Sequence, residues 1–171
     1  MLVELKCMGA KANVDMFRQY FNNFGQQPSF VHNLLLMMPE ASLQKPTSWL
    51  LHQHLKSGSF FTHGQLAKLL TSLNDLSLWV PILYHLQMFD YLQKPSANGL
   101  WHLETFVRQQ LNSQNHYVKA WAFQAFSRLV SFEPGSKEEL VLLCREKYQF
   151  SPAATQATTR IIAKRLNFSL S

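Results

Sequence analysis

The chain has 171 residues, 47% of them apolar, 13% aromatic and 15% charged. At roughly 25 cal/mol per Å² of apolar surface removed from water, this composition supplies enough burial to offset chain entropy, which excludes intrinsic disorder. The net charge of +6 divides into +2 on residues 1–100 and +4 on residues 101–171, with no run of five basic residues, which excludes a polybasic arm for nucleic acid or anionic lipid.

Apolar residues recur three and four apart, Val is scarce and alternation is short, so the chain reads as all-helical. The start, Met1 to Lys6, lacks a basic segment followed by an apolar one, and no stretch reaches eighteen apolar residues without charge. Cys7 and Cys144 lie among apolar neighbours, read as small core residues, and are too few for a disulfide framework. The expectation is a cytoplasmic protein with no membrane span.

In chain order, Asn13 caps a helix through about Phe24 that Gly25 closes, and Pro28 opens the next, which ends before Pro39. Thr47 or Ser48 caps a short helix through Trp49, Leu50, Leu51 and Leu55, with Gly58 just past its end. Thr62-His63-Gly64-Gln65 has capping-box spacing ahead of Leu66, Leu69, Leu70 and Leu73. A helix over 78–92 follows, either capped by Ser77 with Pro81 near its first turn, or begun at Asp75 and kinked at Pro81. Another covers 98–111, and Asn115 opens a long one through Phe132 that Pro134-Gly135 stops. Ser136-Lys137-Glu138-Glu139 is a capping box ahead of Leu140, and Ser151-Pro152 starts the last helix, through about Leu166.

Short connections force consecutive helices into antiparallel hairpins. Sliding the long helices over one another places Val80, Val118 and Ala154 in register, 38 and 36 residues apart, which is one helix pair per step. The leading helices are then 62–73, 98–111 and 136–148, and the following ones 77–92, 115–132 and 151–166.

The segment Asn115-His116-Tyr117-Val118-Lys119-Ala120-Trp121-Ala122-Phe123-Gln124-Ala125-Phe126 resembles the second-helix pattern of the HEAT/armadillo-like α-solenoids: a polar cap, Val with a basic residue, then alanines and a bulky apolar residue. Pro152-Ala153-Ala154-Thr155-Gln156-Ala157 with Ile161-Ile162 is similar. Trp121 and Phe126 are bulkier than the family's usual residues, and 78–92 lacks its alanines. The resemblance implies antiparallel helix hairpins stacked as a short right-handed α-α superhelix of about seven to eight helices. In that arrangement residues 1–171 form a single domain, with irregular helices over 1–58 and about three HEAT-like pairs over 60–166.

On the 115–132 helix, Val118, Trp121, Ala122, Ala125, Phe126 and Leu129 share one side and Gln124, Ser127 and Ser131 the other, flanked by Lys119 and Arg128. On the last helix, Ala153, Ala154, Ala157, Ile161 and Leu166 form a thin apolar stripe. Thr155, Thr158, Thr159, Arg160, Lys164 and Arg165 are polar there, the composition of a terminal cap.

Catalytic signatures are missing. His52 and His54 point roughly 200° apart on a helix and cannot share one ion without a third element, and neither His-Glu-x-x-His nor Cys-x-x-Cys occurs. His63 is close in sequence but lies across a turn, His32, His85, His102 and His116 stand singly on separate helices, and Cys144 reads as core. Glu138 and Glu139 are explained by helix capping. No catalytic, metal-binding or cofactor-binding residue is assigned.

The one polar row with functional content is Gln156, Arg160 and Lys164, four residues apart, with Lys119, Gln124, Ser127 and Arg128 on the preceding long helix. If the pairs stack, these seven residues line a basic concave face suited to the acidic surface of another protein; the competing account is an ordinary solvated face. The expected function is therefore a non-catalytic interaction or scaffold module. A DNA- or RNA-binding protein is the alternative, similar at fold level to the HEAT-like alkylpurine DNA glycosylases. That family's catalytic Asp has only Asp75 and Asp90 as candidates here, beside Trp79 or Trp121, and no motif places either, so neither is carried over.

Overall fold

A computed structural model describes residues 4–5, 13–150 and 153–170, and of residues 149, 150 and 154 the backbone alone. Cys7 and the Ser151-Pro152 start signal lie outside the described residues. Every element among the described residues is helical, with no strand, and none of these helices is long and apolar enough to cross a membrane. The chain separates into two compact units, Met1–His102 and Leu103–Ser171.

In the first unit, α1 (Val14–Phe24) starts where Asn13 accepts a hydrogen bond from the Met16 N–H and buries Phe17 and Tyr20. Gly25 ends it by donating to the Phe21 carbonyl; a Cβ at this position would lie 2.6 Å from that oxygen, so a side chain has no room. α2 (Phe30–Met37) turns five of its eight residues inward. Pro28, expected in its first turn, precedes it.

A short 3-10 turn (Ala41–Leu43) leads into α3 (Gln44–Lys56), which buries eight residues. The helix starts three residues before Thr47, which is not its cap. Pro46 falls in the first turn, where an absent N–H breaks no helical hydrogen bond. Thr47 is buried and its hydroxyl donates to the Leu43 carbonyl at 2.6 Å, while Gly58 follows the helix at φ +89, a left-handed conformation that costs glycine little. Helices α1, α2 and α5 (Trp79–Met88) pack around α3.

α4 (His63–Thr71) carries the expected capping box, with Gln65 N–H donating to Thr62 and Thr62 N–H to the Gln65 side chain. α5 begins after Leu78, not Ser77, and ends four residues short of the expected Leu92. The Ser77 N–H is held instead by the buried Gln44 side chain, which also donates to the Asp75 carbonyl at 2.8 Å.

The division between units falls within α6 (Ala97–Leu111). In the second unit, Asn115 accepts from the N–H groups of Tyr117 and Val118 and starts α7 (His116–Phe132), which buries ten residues, Ala122, Phe123, Ala125 and Phe126 among them. α8 (Lys137–Phe150) follows a 3-10 turn, and α9 (Ala153–Leu166) packs against both α7 and α8. Glu139, expected to fold back as a cap, instead gives both carboxylate oxygens to Arg108 of α6. The same guanidinium bonds Glu104 and lies 5.1 Å from the centre of the Phe126 ring.

Candidate functional site

α9 does not bury the stripe that its alanines mark. The interior takes Thr155, Thr159, Ile162 and Ala163, while Ala153, Ala157 and Ile161 face water, Ile161 with 56% of its surface exposed. A threonine presents a methyl as well as a hydroxyl, and on a helix the hydroxyl can bond its own backbone; Thr159 does so to the Gln156 carbonyl at 2.9 Å. Positions 155, 159, 162 and 166 therefore serve as the inward row, at the 3.6-residue period of a helix.

The same rotation brings Arg165 onto α7. Its Nη1 donates to the Ser127 hydroxyl at 3.2 Å, and the Gln124 amide oxygen, turned toward it, accepts from Nη2 at 2.7 Å. Ser127 is only 1% exposed and donates to the Gln124 carbonyl. Two of the seven expected surface residues, Gln124 and Ser127, thus belong to the joint between α7 and α9. The two helices run parallel, because Ala120 and Trp121 lie beside Thr158 and Ile161 while Ser127 lies beside Arg165, 38 residues further on.

Between them lies a cleft of about 160 Å³ lined by Ala120, Trp121, Gln124, Thr158 and Ile161. Trp121 is half-buried here rather than part of the core, and on α7 it shares a face with exposed Tyr117, Gln124 and Arg128 at helical spacing. Arg128 donates to Ser131 and lies 4.7 Å from the centre of the Phe132 ring. Lys164 is exposed one turn past Ile161. Arg160 turns toward α8, where its Nε donates to the Tyr148 hydroxyl at 3.2 Å. Gln156 is half-buried four residues before Arg160. Lys119 is two residues from Trp121, roughly 160° around the helix, and so lies away from the cleft. The expected row of seven is therefore not one surface; of the seven only Gln124 lines the cleft, and Arg165 reaches it through Gln124.

Charge is segregated by helix. α7 and α9 carry Lys119, Arg128, Arg160, Lys164 and Arg165 and no carboxylate, whereas Glu104, Glu133, Glu138, Glu139 and Glu146, all the acids of this unit, lie on α6, α8 and the turn before α8. A broader depression along α8, about 520 Å³, is of mixed charge, with Glu138 beside Lys137 and Arg145 around Val141 and exposed Leu142.

The titratable groups elsewhere are shaped by burial. His85 is fully buried on α5, its Nδ1–H donating to the Pro81 carbonyl at 2.9 Å, and burial lowers its pKa to about 4. His52 of α3 stacks on Tyr84 with ring centres 6.2 Å apart, and burial followed by the nearby Lys56 lowers it to about 4. His54 stacks on Phe61 at 5.9 Å and is also lowered by burial. Burial pushes the Cys144 thiol up to about 12, which holds it protonated and unreactive near neutral pH. Among the described residues no three His, Cys, Asp or Glu side chains gather as metal ligands.

Compared with known protein families, characterised proteins and solved structures, the chain matches none. Fold and site together define an all-α chain whose second unit presents a cleft between two parallel, carboxylate-free helices.

Proposed function

We propose that this chain is a non-catalytic interaction module, a short HEAT-like stack of helix pairs, which docks the acidic surface of another protein on the α7–α9 face. The observation that carries the reading is a coincidence on one face: exposed Ile161 and half-buried Trp121 line the same cleft, between two helices that carry five cations and no carboxylate. Apolar groups between helices of one sign of charge suit an interface with an apolar centre and a complementary polar rim. The cleft, at 160 Å³, is smaller than the roughly 300–1,000 Å³ of small-molecule sites, which favours a protein surface over a substrate or cofactor. Parallel packing of α7 on α9 at a 38-residue offset supports the repeat reading, since successive helix pairs of a solenoid stack in this way. Such a module fits the cytoplasm.

Affinity capture on the full chain, run beside Ile161→Glu and Lys164→Glu, tests the proposal. Both positions are exposed, so the melting temperature stays within about 2 °C of wild type, as surface substitutions usually do. The expected result is an acidic protein that, once purified, binds the wild-type chain and loses affinity for both variants. A purified partner that binds all three chains equally sinks the assignment of this face.

A further inference from the structure

We infer that the outer face of α8 pairs with the same face of a second copy of this chain, the two helices antiparallel and Glu138 of each copy set against Arg145 of the other. Glu138, Leu142 and Arg145, four and three residues apart, share one side of α8; all three are exposed, and Val141 lies half-buried beside them. They line a depression of about 520 Å³ that shares no residue with the α7–α9 cleft. Leu142, with 65% of its surface exposed, is the most exposed large aliphatic side chain among the described residues. Other charges of α8 are already paired, Glu139 with Arg108 and Glu146 with Lys147. Glu138 holds no ion pair among the described residues. Arg145 donates there through Nε alone, to the Ser169 carbonyl at 2.9 Å, so a guanidinium already held in place keeps both Nη groups for a carboxylate approaching end-on.

The order of these residues selects the occupant. A partner of one sign would attract one of the two charges and repel the other, whereas a copy turned end for end is complementary to both. The point midway between Glu138 and Arg145 is also the point midway between Val141 and Leu142. A half-turn about an axis through that point, perpendicular to the helix, sets acid against base at both ends, about 10 Å apart along the axis, and brings the two Leu142 side chains together between them. Lys137 stands about 100° around the helix from Glu138 and stays at the rim. Such a contact uses the same patch on both copies and closes on itself, so assembly stops at the dimer. One helix face per copy buries less than roughly 1,200 Å², the size of weak and transient contacts, and association is expected in the micromolar range.

Sedimentation equilibrium of the full chain tests the pairing. Wild type is expected to move from the mass of one chain toward that of two as its concentration rises from about 10 to about 500 µM. Glu138→Arg and Arg145→Glu each set like charges face to face and are expected to self-associate at least about tenfold more weakly, as is Leu142→Glu. An equimolar mixture of the Glu138→Arg and Arg145→Glu chains has opposite charges at both ends again and is expected to regain the dimer, which mixing two misfolded chains would not do. Ile161→Glu, in the α7–α9 cleft, is expected to dimerise as wild type does. A wild-type chain that stays monomeric throughout overturns the inference, whatever other protein covers α8. So do a dimer that both charge swaps leave intact, two swaps whose mixture stays monomeric, a dimer that Ile161→Glu abolishes, and a mass that climbs past two chains.

Discussion

His85 shows what one buried polar side chain costs. Its pKa is held at about 4 by burial, with the Pro81 carbonyl opposing the shift and His52 adding repulsion, while in the unfolded chain it returns to about 6.5. The unfolded state therefore binds the proton first. Stability is fully present above about pH 6.5 and falls as the pH drops toward about 4, by up to roughly 1.4 kcal/mol per pH unit for one such group. His52 adds a second contribution of the same sign in the same window. In His85→Asn, whose amide nitrogen stands where Nδ1 does and can still donate to Pro81, the dependence of unfolding free energy on pH between 6.5 and 4.5 is expected to be shallower than in wild type by about one proton. Parallel curves from urea titrations at these pH values would show that His85 is not the titrating group.

At the scale of elements, Gln44 carries a connection that no local rule announces. Being 1% exposed, its side chain donates to the Asp75 carbonyl and accepts from the Ser77 N–H, so the first turn of α3 fixes the link that leads into α5. Gln44→Leu leaves two backbone groups without this partner and is expected to cost about 1–3 kcal/mol; Gln44→Glu keeps the acceptor, buries a charge and costs more. Urea midpoints for the two variants check both the size and the order. This contact also explains what could be read from sequence. Asn13, Thr62 and Asn115 act through atoms two or three residues away, so their helix starts were legible. Gln44 acts over 31 residues, and no side chain caps the start of α3, so that start was not. The α9 face was inverted for a third reason: counting threonine as polar hid a residue that satisfies its hydroxyl on its own helix. The site inherited that error. Arg165 and Ile161 became visible only once α9 was rotated, although the absence of any carboxylate from α7 and α9 was in the sequence throughout.

At the scale of the whole molecule, a net charge of +6 invites a nucleic-acid reading, and the arrangement of the charges argues against its strength. Arg108 is committed to Glu104 and Glu139, Arg160 leans on Tyr148, and Lys119 lies on the far side of α7 from the cleft. At most three cations can meet phosphates on this face: Lys164, with Arg128 and Arg165, which already hold Ser131 and Ser127. At about 0.9 counterions released per duplex phosphate, three contacts give a slope of log affinity against log salt near about −3. Raising salt from about 50 to about 200 mM should then weaken duplex binding by a few tens-fold. At physiological salt this places the full chain within the range of non-specific binding, roughly 10⁻⁴–10⁻⁶ M. Fluorescence anisotropy with labelled duplex and single-stranded DNA across that range measures both quantities. A slope steeper than about −6 together with nanomolar affinity would require a wider cationic surface than α7 and α9 present, and would return nucleic acid to first place over an acidic protein.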